Sequence, residues 1–99
     1  MLVALAVARL SPDAYGVTIQ REITTRTPRA VTLGAVYATL VRLEDKGLLS
    51  ASDSAPTGER GGRSRRCYVL TASGKQAIAR SHHAVQRMMD GLEAALGTA

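Results

Sequence analysis

Residues 32–50 read TLGAVYATLVRLEDKGLLS and contain the clearest structural signals in the chain. Thr32 is a favourable N-cap residue, and the segment that follows it predicts a helix. The apolar positions that recur at helical spacing, and so should face a core, are Val36, Leu40 and Leu43. Gly47 stands where a helix commonly ends in the left-handed conformation. Residues 48–52 then predict a short β-strand directly after the helix.

The opposite face of this helix carries small side chains and one arginine. These residues are Gly34, Ala35, Ala38 and Arg42. Small residues at an exposed helix N-terminus allow a partner to approach closely, and the unpaired N–H groups with the positive dipole end favour a phosphate. Such a helix suits entry into the major groove of DNA. The alternative interpretation is an ordinary surface helix on which small residues are tolerated.

Two further helices are predicted ahead of this segment. Residues 2–9 are apolar with good helix propensity, and Ser11-Pro12-Asp13 ends that run. Asp13 can cap a second helix over residues 14–24. The face of that helix expected to be apolar contains Tyr15, Ile19 and Ile23. Residues 24–31 form a polar connection too rich in Thr and Arg to belong to a core.

An arginine-rich and glycine-rich segment separates two β-prone runs. Residues 53–63 contain Pro56 and three glycines and predict a loop, whereas residues 67–70 predict a strand that pairs with the first one. The arginines of this region are Arg60, Arg63, Arg65 and Arg66. They repel one another unless they are solvated or paired with anions, and the glycines let the backbone press against a phosphate or into a minor groove.

This hairpin, placed just after the candidate recognition helix, is typical of a wing. A merely solvated loop is the main alternative. A disordered Arg-Gly-Gly element that binds RNA is disfavoured because there is one copy and β-prone segments flank it.

A final helix is predicted from the N-cap Thr71 to about residue 96. Its apolar seam alternates in steps of three and four, as in a coiled coil, through Ile78, Ser81, Val85, Met88, Leu92 and Ala95, and is widened by Met89 and Leu96. One small domain can cover only the start of this seam. We therefore expect a two-fold dimer in which Ile78, Val85, Met88, Met89 and Leu92 meet the same helix of a second subunit. Packing on the chain's own first helix is the alternative, and both can occur together.

Length and composition restrict the class of protein. The 99 residues suit one domain, 45% of them are hydrophobic, and Phe and Trp are absent. The formal net charge of +5 favours a polyanionic partner, nucleic acid before membrane. No apolar run is long enough for a membrane span, and the apolar start lacks the basic region of a signal peptide. The single cysteine, Cys67, agrees with a reducing compartment, so we expect a cytoplasmic protein.

Catalytic and metal chemistry are not indicated. His82 and His83 adjoin on a helix and point in different directions, and no matching set of Cys, Asp or Glu accompanies them. Cys67 beside two arginines could be a reactive thiolate, but a buried strand cysteine is more common. We predict no catalytic residue, no metal site and no cofactor.

Several motifs occur in an order that is specific in combination. They are Ala14-Tyr15-Gly16-Val17, residues 32–37, residues 40–48, Arg60-Gly61-Gly62-Arg63, and Tyr68-Val69-Leu70-Thr71 followed by Gly74. Over about residues 2–80 the chain thereby resembles the PadR family of transcriptional regulators. The resemblance implies a winged-helix fold, a homodimer through the C-terminal helix, and in most cases repression of a nearby promoter.

The resemblance also implies functional residues. The helix after Thr32 would contact the major groove, with Thr32, Gly34 and Tyr37 matching the family's recognition-helix pattern, and Arg63 and Arg65 matching its basic wing. Together with the reasoning above, the predicted DNA-binding residues are Thr32, Leu33, Gly34, Ala35, Tyr37, Ala38, Arg42, Arg60, Arg63, Arg65 and Arg66.

Some features depart from the family pattern. Members usually have several residues before the first helix, so we expect either a short first helix here or a start assigned late. Cys67 replaces what is often an aromatic residue. The last helix lacks the tryptophan of the multidrug-sensing branch, so a flat aromatic effector is not expected. The sequence does not indicate which other class of effector would bind.

We therefore predict a mainly α-helical protein with a small β-hairpin. Residues 1–71 form a winged helix-turn-helix domain with its wing at about 48–70, and residues 72–99 form a C-terminal dimerisation helix. The expected function is sequence-specific binding of double-stranded DNA by a homodimeric repressor at an inverted-repeat operator. The alternative is a winged-helix module that binds proteins and not nucleic acid, against which the arginine-rich wing argues. Binding of single-stranded RNA is disfavoured because three Tyr without Phe or Trp make a poor stacking platform.

Overall fold

The computed structural model describes residues 1–54 and 65–97. Over these residues it contains helices, a two-stranded antiparallel hairpin and further helices, in the predicted order. The elements are α1 (Leu2–Leu10), α2 (Gly16–Arg26), α3 (Leu33–Asp45), β1 (Leu49–Ser54), β2 (Arg65–Leu70), α4 (Ala72–Met89) and α5 (Glu93–Leu96). The expectation of a mainly helical chain with a small hairpin is confirmed.

The core lies where α1, α2 and α3 meet the inner face of the hairpin. Its buried side chains are Val3, Ala6, Val7, Ala14, Ile19, Ile23, Val36, Leu40, Leu49 and Tyr68. The predicted core face of α3 is confirmed at Val36 and Leu40, whereas Leu43 is only partly buried at the edge. Full burial of such a side chain stabilises a fold by about 1.5–3 kcal/mol, so these few residues fix how the three helices pack.

Three predicted helix signals are confirmed in atomic detail. The Thr32 hydroxyl accepts a hydrogen bond from the Ala35 N–H at 3.1 Å, and the Thr71 hydroxyl accepts one from the Gly74 N–H at 3.0 Å. Gly47 has a φ of 76° just past the end of α3. The Thr71 hydroxyl also donates to the Gly47 carbonyl at 2.7 Å, which joins the start of α4 to the end of α3.

The predicted start of α2 was wrong. Asp13 does not cap this helix, which begins at Gly16 with Tyr15 as its N-cap. The hydroxyl of Thr18 accepts a hydrogen bond from the Tyr15 N–H at 3.1 Å and donates to the Asp13 carbonyl at 2.7 Å. A threonine inside the first turn therefore organises this terminus. The helix also continues beyond residue 24, to Arg26.

The hairpin has a register that places small and apolar residues on its inner face. Leu49 lies opposite Leu70, and Ala51 lies opposite Tyr68. Both strands are longer than predicted, by two residues at the end of β1 and by two at the start of β2. The segment before α2 also bonds to β2. The Tyr68 N–H donates to the Ala14 carbonyl at 2.8 Å, and the Ser11 hydroxyl donates to the Tyr68 carbonyl at 3.2 Å.

The last helix is not continuous, contrary to prediction. α4 ends at Met89, Gly91 adopts a φ of 84°, and the short α5 follows. Glycine reaches this left-handed conformation without the steric cost that a Cβ imposes, so the chain turns there despite the apolar periodicity.

α4 extends away from the body of the domain. It is about 27 Å long at 1.5 Å per residue, and the molecule measures 55 × 27 × 19 Å. Gly74 is buried near its start, whereas every described residue from Ala79 onward is exposed. Among the described residues, no helix has the length and apolar character that a membrane crossing requires.

Candidate nucleic-acid interface

The exposed side of α3 carries three small residues in its first two turns. Gly34, Ala35, Ala38 and Arg42 are all exposed on it, while Val36 and Leu40 are buried on the other side. Thr32 is exposed at the N-terminus, and Leu33 beside it is partly buried. The structure therefore brings the predicted recognition-helix residues together on one surface.

Gly34 has no structural partner that requires a glycine. A Cβ at this position would meet nothing within 4 Å, and its φ is negative. Glycine inside a helix is less favourable than alanine by about 1 kcal/mol. Neither packing nor backbone conformation requires a glycine at this position. Because there is no side chain, a partner can approach the helix backbone closely here.

Tyr37 connects the exposed face of α3 with the start of α2. Its side chain is 46% exposed, and a Cβ added at Gly16 would overlap its ring. The aromatic ring can pack against α2 only because Gly16 has no side chain. Sequence reasoning included Gly16 in a motif without this reason, since the two residues are 21 positions apart.

The turn between α2 and α3 is fixed by side chains that sequence reasoning missed. The Gln20 amide donates a hydrogen bond to the Val31 carbonyl at 2.9 Å. The Thr27 hydroxyl donates to the Ile23 carbonyl at 2.8 Å and accepts from the Arg29 N–H at 3.1 Å. These bonds hold the helix-turn-helix connection against α2. The sequence signal was a polar side chain, Gln20, next to the apolar face that Ile19 and Ile23 form on α2.

The predicted wing arginines fall into two groups. Arg60 and Arg63 lie in the segment 55–64, outside the described residues. Arg65 is the first residue of β2 and pairs with Ser54 in the strand register. Arg66, one position further, pairs with Asp53 on the opposite strand and has a described side chain.

Arg66 already contacts carboxylates of its own chain. Its Nη2 lies 2.9 Å from Glu44 Oε2 in the last turn of α3, and its Nη1 lies 3.9 Å from Asp53 Oδ1. The charge of Glu44 is the main cause that raises the pKa of the Arg66 guanidinium above its ordinary value. Sequence reasoning missed this contact because Glu44 and Arg66 are 22 positions apart.

The predicted dimerisation residues differ in their surroundings. Ile78 is partly buried near the start of α4, as expected for a position covered by its own domain. Further along, Val85 is 52% exposed and Met88 is 77% exposed, and Met89 and Leu92 are exposed as well. The predicted alternative, packing on the chain's own first helix, therefore extends only to the beginning of the seam.

Within residues 1–54 and 65–97, no three His, Cys, Asp or Glu side chains form a group that could hold a metal ion. Cys67 is partly buried in β2.

Three helices followed by a hairpin, with an exposed helix after a tight turn, define the class of winged helix-turn-helix DNA-binding proteins. The sequence profile described as the transcriptional regulator PadR-like family matches residues 4–80. The chain belongs to this family. PadR-like regulators are DNA-binding proteins without enzymatic activity, so this protein is a DNA-binding regulator of transcription.

Solved structures share the fold. A transcriptional regulator from Thermoplasma acidophilum has a TM-score of 0.75 and 19% identity, over 99% of this chain and 92% of that one. A PadR family regulator from Eggerthella lenta has a TM-score of 0.75 and 23% identity, over 99% and 83%. A PadR family regulator from Clostridium difficile has a TM-score of 0.72 and 21% identity, over 97% and 98%. No curated protein sequence matches the chain.

Proposed function

We propose that this protein is a homodimeric repressor that binds an inverted-repeat operator in double-stranded DNA close to the promoter it controls. In this proposal α3 enters the major groove, and the hairpin contacts the DNA backbone or the minor groove. The groove-facing residues are Thr32, Leu33, Gly34, Ala35, Tyr37, Ala38 and Arg42. The hairpin contributes Arg60, Arg63 and Arg65.

The observation that carries the proposal is the small-residue face of α3. A helix that lies in the major groove must bring its backbone close to the base edges and phosphates. Gly34, Ala35 and Ala38 permit that approach, and none of them is buried in the core. Arg42 lies farther along the same face, where a guanidinium can reach a phosphate or a guanine.

The apolar side chains that α4 exposes to water support the proposed dimer. Burial of apolar area is favourable by about 25 cal/mol per Å², so Val85, Met88 and Met89 favour a partner surface. Pairing of two α4 helices around a two-fold axis would cover both seams and present two copies of α3 on one side. The two helices would then match half-sites about 34 Å apart, one turn of B-DNA.

The test is a gel-shift titration of the protein with DNA that flanks its own gene, repeated at two salt concentrations. We expect a specific complex whose affinity falls steeply with salt, because binding releases counterions from phosphates. Random DNA of equal length serves as the control. Equal affinity for both DNAs would contradict an operator, and no complex at either salt concentration would favour a protein-interaction module.

A further inference from the structure

A charged cluster lies where the last turn of α3 meets the hairpin. It consists of Glu44 on α3, Asp53 on β1 and Arg66 on β2. One guanidinium contacts both carboxylates, at 2.9 Å and 3.9 Å. All three side chains are partly or largely exposed, so the cluster stands at the surface and not in the core.

The two strands of the hairpin depend on α3 in different ways. β1 begins four residues after α3 ends, and the Leu48 N–H donates to the Leu43 carbonyl at 3.0 Å. This short connection fixes the position of β1 relative to α3. β2 is separated from α3 along the chain by β1 and by residues 55–64, and it is held by its pairing with β1 and by the burial of Tyr68. Arg66 adds a side-chain hydrogen bond from β2 to Glu44 on α3.

Arg66 lies in the outer part of the hairpin, beyond the residues that anchor it. Leu49 and Tyr68 are buried in the core and Leu70 packs against it, and Arg66 lies two residues beyond Tyr68, or about 7 Å at 3.3 Å per residue. A 10° tilt of the hairpin about Tyr68 would move Arg66 by about 1 Å, which would lengthen its 2.9 Å bond to Glu44 beyond the usual hydrogen-bond range. The bond to Glu44 therefore opposes a change in the angle between the hairpin and α3.

We propose that Arg66 is a positioning residue that sets the angle of the hairpin against the recognition helix through Glu44, and that it is not itself a phosphate contact. A phosphate that approached Arg66 would compete with Glu44 for the guanidinium, and the negative charge of Glu44 would repel it. The inference rests on the proposed DNA-binding function, because the angle between the hairpin and α3 affects binding only if both contact one DNA molecule.

The experiment is a double-mutant cycle on Glu44 and Arg66 in which the affinity for operator DNA is measured. Glu44→Gln and Arg66→Gln should each weaken binding by up to about fivefold, the usual range of a surface ion pair, and the double variant should be no weaker than either one. The salt slope of log K should stay unchanged. Glu44→Arg combined with Arg66→Glu keeps the net charge and should bind more tightly than Arg66→Glu alone, although Asp53 lies beside position 66 and repels the new carboxylate.

A direct phosphate contact would give the opposite pattern. Arg66→Gln would then lower the salt slope by about 0.9, and Glu44→Gln would leave binding unchanged or strengthen it. The charge-reversed pair would bind worse than either single variant, because a carboxylate would face the DNA. Each of these results overturns the proposal. Asp45→Asn is the matched control, since it removes an exposed charge from the next position of α3 and should leave Kd unchanged.

Hydrogen exchange on the free protein separates this inference from the DNA-binding proposal. Glu44→Gln should speed amide exchange in β1 and β2 and leave α1 and α2 protected, whereas Asp45→Asn should change neither. Unchanged exchange in the strands of Glu44→Gln overturns the positioning role even if the wild type binds its operator. Failure of the wild type to bind any DNA would instead refute the proposed function.

Discussion

Replacement of Ala35 by Glu tests the α3 interface without disturbing the fold. Ala35 is exposed, and its N–H donates to the Thr32 hydroxyl, so it stands at the third helical position after the cap. A glutamate there completes a Thr-x-x-Glu capping box, and its charge interacts favourably with the positive end of the helix. The free energy of unfolding should therefore change by less than about 0.5 kcal/mol or increase.

The same carboxylate should strongly oppose DNA binding. Two unit charges 4 Å apart interact by about 1 kcal/mol in bulk water and by about 4 kcal/mol at an effective dielectric constant of 20. Because 1.4 kcal/mol corresponds to a factor of ten, the Kd should rise between about fivefold and about a thousandfold. Ala35→Gln adds a similar volume without the charge, so its loss of affinity measures the steric part alone.

Fluorescence anisotropy with labelled DNA from beside the gene measures these affinities. Ala79→Glu is the matched control, because it introduces the same residue at an exposed position of α4 that lies off the seam. It should bind as the wild type does. An unchanged Kd for Ala35→Glu would refute the placement of α3 in the groove. Loss of its cooperative thermal transition would instead contradict the expectation that this substitution leaves the fold intact.

The remaining predictions concern the wing, the dimer and one buried glycine. If Arg63 contacts a phosphate, Arg63→Ala should lower the salt slope of log K by about 0.9 and weaken specific and random DNA equally, and an unchanged slope argues for a solvated loop. Met88→Asp should convert the protein to monomer in light scattering, whereas Gln86→Asp on the other side of α4 should not; a monomeric wild type at tens of micromolar would contradict the dimer. Gly74→Ala should cost about 1–3 kcal/mol, because its Cβ would overlap the backbone carbonyl oxygen of Leu48, while Gly34→Ala should be neutral or stabilising, as thermal melts can show.

Local signals predicted much of this fold from the sequence. Caps at Thr32 and Thr71 and the helix end at Gly47 depend on hydrogen bonds and dihedral angles within a few residues, so residue type and spacing suffice to find them. The core face of α3 follows in the same way from helical periodicity. Asp90-Gly91 is a turn dipeptide and lies where α4 ends. The apolar periodicity across these two residues nevertheless led to the prediction of a continuous helix.

Tertiary structure alone decided the contacts between distant segments. A side chain at Gly16 would displace the ring of Tyr37, and one at Gly74 would overlap the backbone carbonyl of Leu48. Arg66 belongs by sequence to a basic cluster, yet its partner is Glu44 on another element. The residue types along the chain determine which groups can form such contacts. Which of them meet depends on how packed helices and strands place their backbones in space, and no spacing along the chain encodes that distance.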